Sequence, residues 1–263
     1  MRQVKVVKQP PYAVGSVDKA LRVIMLLQER DSVRLADVAE LLGTSPSTAH
    51  RIISTLVYRG FAEQDASHRY RLGPRLLGAR READHLDDLL QRHLTTLREE
   101  TGATVSAMAL EGRAVRILRT VVATRGDHIS ERTGTTLPAV EASSGKALLA
   151  QLARADLHAL LTGHHAARQG ESMTPARLEA LEAELARVRD EGVAYNLRRT
   201  EADLVAVGCA VPTRTRAPWL GLAVSLPAAE ADGVRDRRLH AALWDTALRL
   251  ARDLDAEAPL DSA

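Results

Sequence analysis

The stretch LLGTSPSTAHRIISTLVYRGF, Leu41 to Phe61, constrains this chain more than any other. Leu41 and Leu42 close an apolar-periodic run, LADVAELL, that begins at Leu35. Gly43 follows, and glycine takes the left-handed conformation after a helix at little cost. Ser45-Pro46 then opens a second helix. A Ser oxygen can cap an unpaired backbone N–H, and Pro suits the first turn because its φ is already helical. Ala49, Ile52, Ile53, Leu56 and Val57 recur at the spacing of one helical stripe. Opposite them stand Ser47, Thr48, His50, Arg51, Ser54 and Tyr58. Packing requires none of these polar residues. Two short helices at a tight turn, the second showing a polar N-terminal face, are a helix-turn-helix, whose second helix enters the DNA major groove. An ordinary helical hairpin has the same outline, so the flanks matter.

Upstream, SVDKALRVIMLLQE (Ser16 to Glu29) predicts a capped first helix with Ala20, Leu21, Ile24 and Leu27 inward. Downstream, GFAEQDASHRYRLG (Gly60 to Gly73) predicts two short strands about a polar turn at Asp65-Ala66-Ser67. Three helices and a hairpin make a winged helix-turn-helix. Its wing carries His68, Arg69 and Arg71, suited to phosphate or minor-groove contact. Arg34 and Arg59 join Arg69 and Arg71 as expected phosphate contacts.

Charge supports that division. Residues 1–75 hold 12 Lys/Arg against 7 Asp/Glu, a net of +5. The remaining 24 basic and 27 acidic residues leave the body at −3, which the formal total of +2 hides. A basic head on a mildly acidic body suits a DNA reader. The 45% hydrophobic content is ample for a core, but aromatics at 3% mean that Leu, Val and Ala must build it. The single cysteine, Cys209, excludes an intramolecular disulfide framework and fits a reducing cytoplasm. No apolar run approaches membrane-spanning length, so no membrane partner is expected. The basic MRQVKVVKQPPYA at the start lacks the apolar core of a signal peptide.

Pro74 opens a long connector helix with a Leu86, Leu90, Leu94 and Leu97 stripe, stopped at Gly102. TVSAMALEGRAVRILRTVV predicts a hairpin about Glu111-Gly112-Arg113. SSGKALLAQLARADLHALL is predicted as one helix, and Thr174-Pro175 opens another. Strands near Leu204–Val211 and Trp219–Leu226 precede a last helix over about Arg235 to Leu254. The mixed order predicts an α+β fold whose body is built on an antiparallel sheet. The expected domains are a flexible basic tail over 1–13, a DNA-binding domain over 14–75, and connector plus effector-binding domain over 76–259. The short, apolar APWLG turn, Ala217 to Gly221, has no explanation at this level.

In the body, LPAVEASSGKALLAQL is the most informative stretch. Ala142-Ser143-Ser144-Gly145 runs into a helix starting near Gly145. Unpaired N–H groups and the helix dipole favour an anion there, and no metal or cofactor is needed. Alternatively, Ser143 or Ser144 is simply a cap. Ser143-Ser144-Gly145-Lys146 also matches the S-x-x-K nucleophile pattern, which would make Ser143 and Lys146 a hydrolase pair. The S-D-N and K-T-G elements that such enzymes need are missing, as are Walker A, G-x-S-x-G and H-E-x-x-H patterns. A regulator rather than an enzyme is therefore expected. His164-His165 lack a spaced carboxylate or Cys, and are expected in a surface loop rather than at a metal.

These residues together resemble the IclR-type bacterial transcription regulators. The resemblance runs from about Val14 to Asp255. It is carried by GSVDKALRVIMLLQ, LADVAELLGTSPSTAHRIISTLVYRGF, YRLGPRLLG, LPAVEASSGKALLA and AVPTRTRAPWLGLAVSLP. It implies a homodimer or dimer of dimers, a GAF-like effector domain for a small organic acid or aromatic, and a short palindromic double-stranded operator. It assigns DNA contact to Thr44, Ser45, Ser47, Thr48, His50, Arg51 and Ser54. In the body it gives the ligand's anionic end to the Ser143–Ser144 backbone beside Gly145 and sets Ile129 on an apolar wall. Asp203, Pro212 and Ser225 fall at or near the other pocket positions. The chain departs from the family in having Ser143 and Ser144 where Gly or Ala is frequent, and Val140 where His is. TRTRAP replaces the usual acidic turn after Pro212.

Overall fold

The computed structural model describes Tyr12 and residues 14–124, 129–162, 173–214 and 219–257. Most of the expected tail, His164-His165 and the front of the APWLG stretch lie outside these. The chain divides into two compact units, Met1–His85 and Leu86–Ala263. The division falls within one helix.

The first unit contains α1 (Gly15–Glu29), α2 (Leu35–Leu42), α3 (Pro46–Tyr58), β1 (Ala62–Gln64), β2 (Tyr70–Leu72) and the start of α4 (Pro74–Thr101). Its core joins Val23 and Leu27 of α1, Val38 and Leu42 of α2, and Ala49, Ile53 and Leu56 of α3. Gly43 closes α2 at φ 57°, as the turn requires. The antiparallel β1–β2 wing gains a third edge through a bridge between Val33 and Tyr70.

Three expectations about this unit need correction. No side chain caps α1, whose N-cap is Val14. Leu21 points outward at 55% exposure, while Val23 and Leu26 are buried. Val57 is 36% exposed, so the buried α3 stripe ends at Leu56. Ala20, Ile24 and Leu27 do face the core, so of the four expected inward residues of α1 only Leu21 was misassigned; its eight apolar positions in fifteen leave two candidate stripes.

The second unit is a six-stranded antiparallel sheet in the order β5-β4-β3-β8-β7-β6. The strands are β3 (Thr104–Glu111), β4 (Ala114–Val121), β5 (Thr136–Pro138), β6 (Ala194–Leu197), β7 (Leu204–Ala210) and β8 (Leu220–Pro227). One face packs Val105, Val207 and Leu222 against Leu90 and Leu94 of α4 and Leu243 and Leu250 of α8 (Arg237–Glu257). The other packs Met108, Ala210 and Ala223 against α5 (Ser143–Leu149), α6 (Arg154–Thr162) and α7 (Pro175–Glu191). β3 and β7 are buried on both faces, which explains their nearly continuous apolar runs.

The stretch predicted as one helix after Ala142 is two, α5 and α6, separated at Gln151-Leu152-Ala153. Helix α5 starts at Ser143 rather than near Gly145, and every residue of it is buried. Of the APWLG stretch, Trp219 packs on the core and Leu220 and Gly221 belong to β8, so its apolar character serves the sheet.

Candidate functional site

The front of α3 is built from its own hydroxyls. Ser45 Oγ accepts the Thr48 N–H at 3.4 Å and lies 3.0 Å from Ser47 Oγ and 3.1 Å from Thr48 Oγ1. This cap fixes the helix start and leaves Ser47, His50 and Arg51 exposed, with Ser54 half-buried beside them. His50 and Arg51 spend no side-chain hydrogen bond on the protein among the described residues. Thr44, half-buried in the turn, has an Oγ1 without a hydrogen-bond partner there. Arg34 stands exposed before α2, its backbone N–H held by Asp37 at 2.7 Å. The Arg59 guanidinium lies 5.1 Å over the Tyr58 ring.

The wing differs from the expectation of free cations. Arg69 donates through Nε to Ser32 Oγ at 2.8 Å and through Nη2 to the Ser32 carbonyl at 3.2 Å. It therefore ties the wing to the segment before α2. Arg71 Nε is 2.6 Å from Glu63. Asp65 shapes the tip by accepting the backbone N–H groups of Arg69 and Ser67 at 3.0 and 2.9 Å. Those bonds hold its carboxyl below the usual range, that from Arg69 most strongly. His68 takes φ 58° at the exposed tip and remains available for contact.

In the body, the N-terminus of α5 meets the sheet. Ala142 offers no capping side chain, so the first N–H groups of α5 have no side-chain cap. Ser143 and Ser144 are 2% and 0% exposed. Ser144 Oγ donates to Met108 Sδ at 2.9 Å. A Cβ on Gly208 of β7 would fall 2.6 Å from the Ser144 nitrogen. Only glycine admits this approach. Gly145 is equally constrained, since its Cβ would meet the Ala139 carbonyl at 2.3 Å.

The same sheet face carries the expected Ser225 and, beside it, polar groups that sequence reasoning missed: Thr104, Ser106, Thr120 and Asn196. Ser225 of β8 pairs with Thr104 of β3 and Ala206 of β7, and Asn196 of β6 lies opposite Ala206. Ser106 Oγ is 3.2 Å from Thr120 Oγ1, both buried. Alternation of small polar with apolar residues in TVSAM was the available signal. Ile129 and Ser225 share a cavity of about 90 Å³ with Thr101, Gly102 and Ala103 at the end of α4. An ion pair from Arg132 to Glu201 ties the segment after Ile129 to the turn after β6.

Neither of the remaining two predicted positions lines that cavity. Asp203 is exposed, and its carbonyl accepts the Ala228 N–H at 2.8 Å. Pro212 lines a separate cavity of about 560 Å³ beside Trp244. Asp203 and Pro212 flank β7, and the nine residue steps between them span roughly 30 Å when extended, too far for one small ligand to touch both. The hydrolase alternative also lacks its geometry. Lys146 Nζ is held by Glu184 at 2.5 Å rather than by Ser143. Burial pushes the Cys209 thiol up to about 12, which leaves it inert. Among the described residues no group of His, Cys, Asp or Glu could hold a metal, and no helix is long and apolar enough to cross a membrane.

Comparison with known proteins accounts for both units. The IclR helix-turn-helix domain matches residues 16–66, and the C-terminal domain of the bacterial transcriptional regulator IclR matches residues 82–252. The chain is 29% identical over 249 residues to the HTH-type transcriptional regulator XynR of Escherichia coli K12, covering 92% of this chain and 97% of XynR. An IclR transcriptional regulator from Alicyclobacillus acidocaldarius superposes with a TM-score of 0.56 at 25% identity, over 92% of this chain and 99% of its own. An IclR homolog from Microbacterium hydrocarbonoxydans, solved with 4-hydroxybenzoate, superposes at 0.57 and 20% identity, over 92% and 99%. Both halves match in sequence, and the winged head and sheet-based body match in architecture. The chain belongs to the IclR family of DNA-binding bacterial transcription regulators.

Proposed function

We propose that this chain reads a short, near-palindromic operator with α3, as a dimer or dimer of dimers, and that a small organic acid in its body alters that reading. The observation that carries the proposal is the front of α3, where Ser47, His50 and Arg51 stand exposed on a helix start held by Ser45. Base contacts from these residues supply specificity, and phosphate contacts from Arg34 and Arg59 supply salt-dependent affinity. Arg69 and Arg71 shape the wing and contribute less than free cations would.

Dimerisation is supported by α1. Val14, Val17, Leu21 and Met25 form one apolar stripe, each 55–62% exposed. Covering it with a second copy would set two α3 helices against successive half-sites. The acid's carboxylate is assigned to the uncapped front of α5, and the polar strip of Thr104, Ser106 and Ser225 would meet its other oxygens. The 4-hydroxybenzoate of the Microbacterium relative is such a carboxylate. A ligand near Ile129 and Ser225 would press on Thr101–Ala103 and so on α4, the helix that continues into the head. It acts only as far as it binds one state better than another.

The test is to incubate the protein with fragmented genomic DNA of its source at ~0.15 M salt, where nonspecific binding is weak. A few retained fragments sharing a short palindrome, with retention altered by candidate acids, are expected. Uniform or absent retention with and without acids would reject the reading.

A further inference from the structure

The body holds a further cavity, apart from the carboxylate assignment, of about 320 Å³ between α7 and the edge strand β6. Its lining is cationic. Lys146 is 4% exposed, and its ammonium is neutralised by Glu184 at 2.5 Å. Arg187 and Arg199 make no ion pair among the described residues. Arg235 lies 4.9 Å over the Tyr195 ring, which orients its guanidinium without discharging it. Glu191 is the other acid on the wall. With Lys146 and Glu184 cancelling, three arginines face one carboxylate, a surplus of two positive charges.

Backbone strain at the cavity is the second, independent observation. Arg198, the neighbour of Arg199, adopts φ 61°, a conformation that non-glycine residues rarely take. The surroundings enforce it. The Arg198 N–H bonds the Leu204 carbonyl at 3.1 Å, and its guanidinium bonds the Ala228 carbonyl at 3.2 Å. Buried Asn196 accepts the Arg199 N–H at 2.8 Å and donates to Thr200 at 2.6 Å. The result is a rigid turn that delivers Arg199 to the cavity wall. Such over-determined strain is characteristic of ligand clamps.

We propose that this cavity binds the phosphate group of a small phosphorylated metabolite, with Arg187, Arg199 and Arg235 as its clamp. A phosphate monoester near neutral pH carries close to two negative charges, matching the surplus, and arginine forks suit its oxygens. The volume admits a compact sugar phosphate, for which Leu197 and Val193 supply an apolar wall.

The test is calorimetry on the full chain at ~0.15 M salt, a level that screens diffuse surface attraction. The probes are ribose 5-phosphate, pyrophosphate and ribose. Both phosphates are expected to bind and ribose is not. Arg187→Ala with Arg199→Ala should weaken phosphate binding about 10-fold or more, the loss expected of charge-assisted hydrogen bonds. Arg154→Ala with Arg237→Ala, cations outside the cavity, should leave it unchanged. No heat with either phosphate, or equal loss in both double variants, overturns the site. Thermal shifts by the same probes provide a second readout, and their absence in the wild type overturns it equally.

Discussion

Two helices of this protein begin with small hydroxyl residues, and the two beginnings do opposite things. Helix α3 starts at Ser45-Pro46-Ser47-Thr48 in solvent, and its hydroxyls close on one another and on the backbone. Helix α5 starts at Ala142-Ser143-Ser144-Gly145 inside the body, with no side-chain cap, against the backbone of β7. Similar residues thus give an exposed polar face in one place and a buried helix start in the other. What differs is the environment. In water a hydroxyl can spend itself on a cap and still leave neighbouring side chains free. Inside, the N–H groups themselves become valuable because no solvent competes for them.

The comparison can be broken most forcefully at Gly208. Gly208→Val should destabilise the body by about 3 kcal/mol, the upper range for overpacking, since even a Cβ collides with the front of α5. Gly43→Ala, with open space but φ 57°, should cost only about 1–2 kcal/mol. Urea unfolding of both variants checks the order, and equal losses would mean that α5 does not press on β7.

A comparable effect is expected in binding. Arg51→Ala should weaken a specific site by about 1–3 kcal/mol and relax preference at one base position. If affinity for random DNA falls as much, Arg51 is a phosphate contact. For the acid, Ser144→Pro should abolish binding by removing an N–H, whereas Ser143→Ala should change it little, because backbone groups do the holding. Calorimetry with a carboxylate separates these outcomes.

A smaller contrast lies in the caps. Ser45→Ala should cost about 1 kcal/mol of head stability. Ser143→Ala should cost less, since α5 has no side-chain cap to lose. The smallest effect concerns Glu182, whose pKa is lowered to about 2 by Arg154 first and His158 second. A depressed carboxylate stabilises the fold above its ordinary value near 4.5 and loses that contribution as pH falls towards 2. The melting-temperature gap between wild type and Glu182→Gln should therefore shrink over that range. A constant gap would mean that the exposed pair is screened to nothing.

Much of the fold was legible in the primary structure because the signals were local. Gly43, Ser45-Pro46 and Thr174-Pro175 marked helix ends by their own backbone preferences, and short runs rich in apolar residues marked β3, β7 and β8. The strands β5 and β6 were missed because three and four residues carry too little periodicity. The break between α5 and α6 was missed because Gln151-Leu152-Ala153 contains no breaker. The wing was anticipated, yet Arg71 proved to be committed to Glu63 across the hairpin, and Arg69 to Ser32 of the segment that the Val33–Tyr70 bridge brings alongside.

By itself, the sequence determined that a capped polar helix follows a tight turn, that a basic winged head precedes an acidic sheet-based body, and that Ser143-Ser144-Gly145 opens a helix. Each depends on neighbours within a few residues. Only the tertiary structure decided that this second helix start is buried, that Lys146 faces Glu184 instead of Ser143, and that Ile129 and Ser225 meet while Asp203 and Pro212 lie at opposite ends of β7. Those facts follow from sheet order and register, which bring together residues dozens of positions apart and turn alternate side chains to opposite faces.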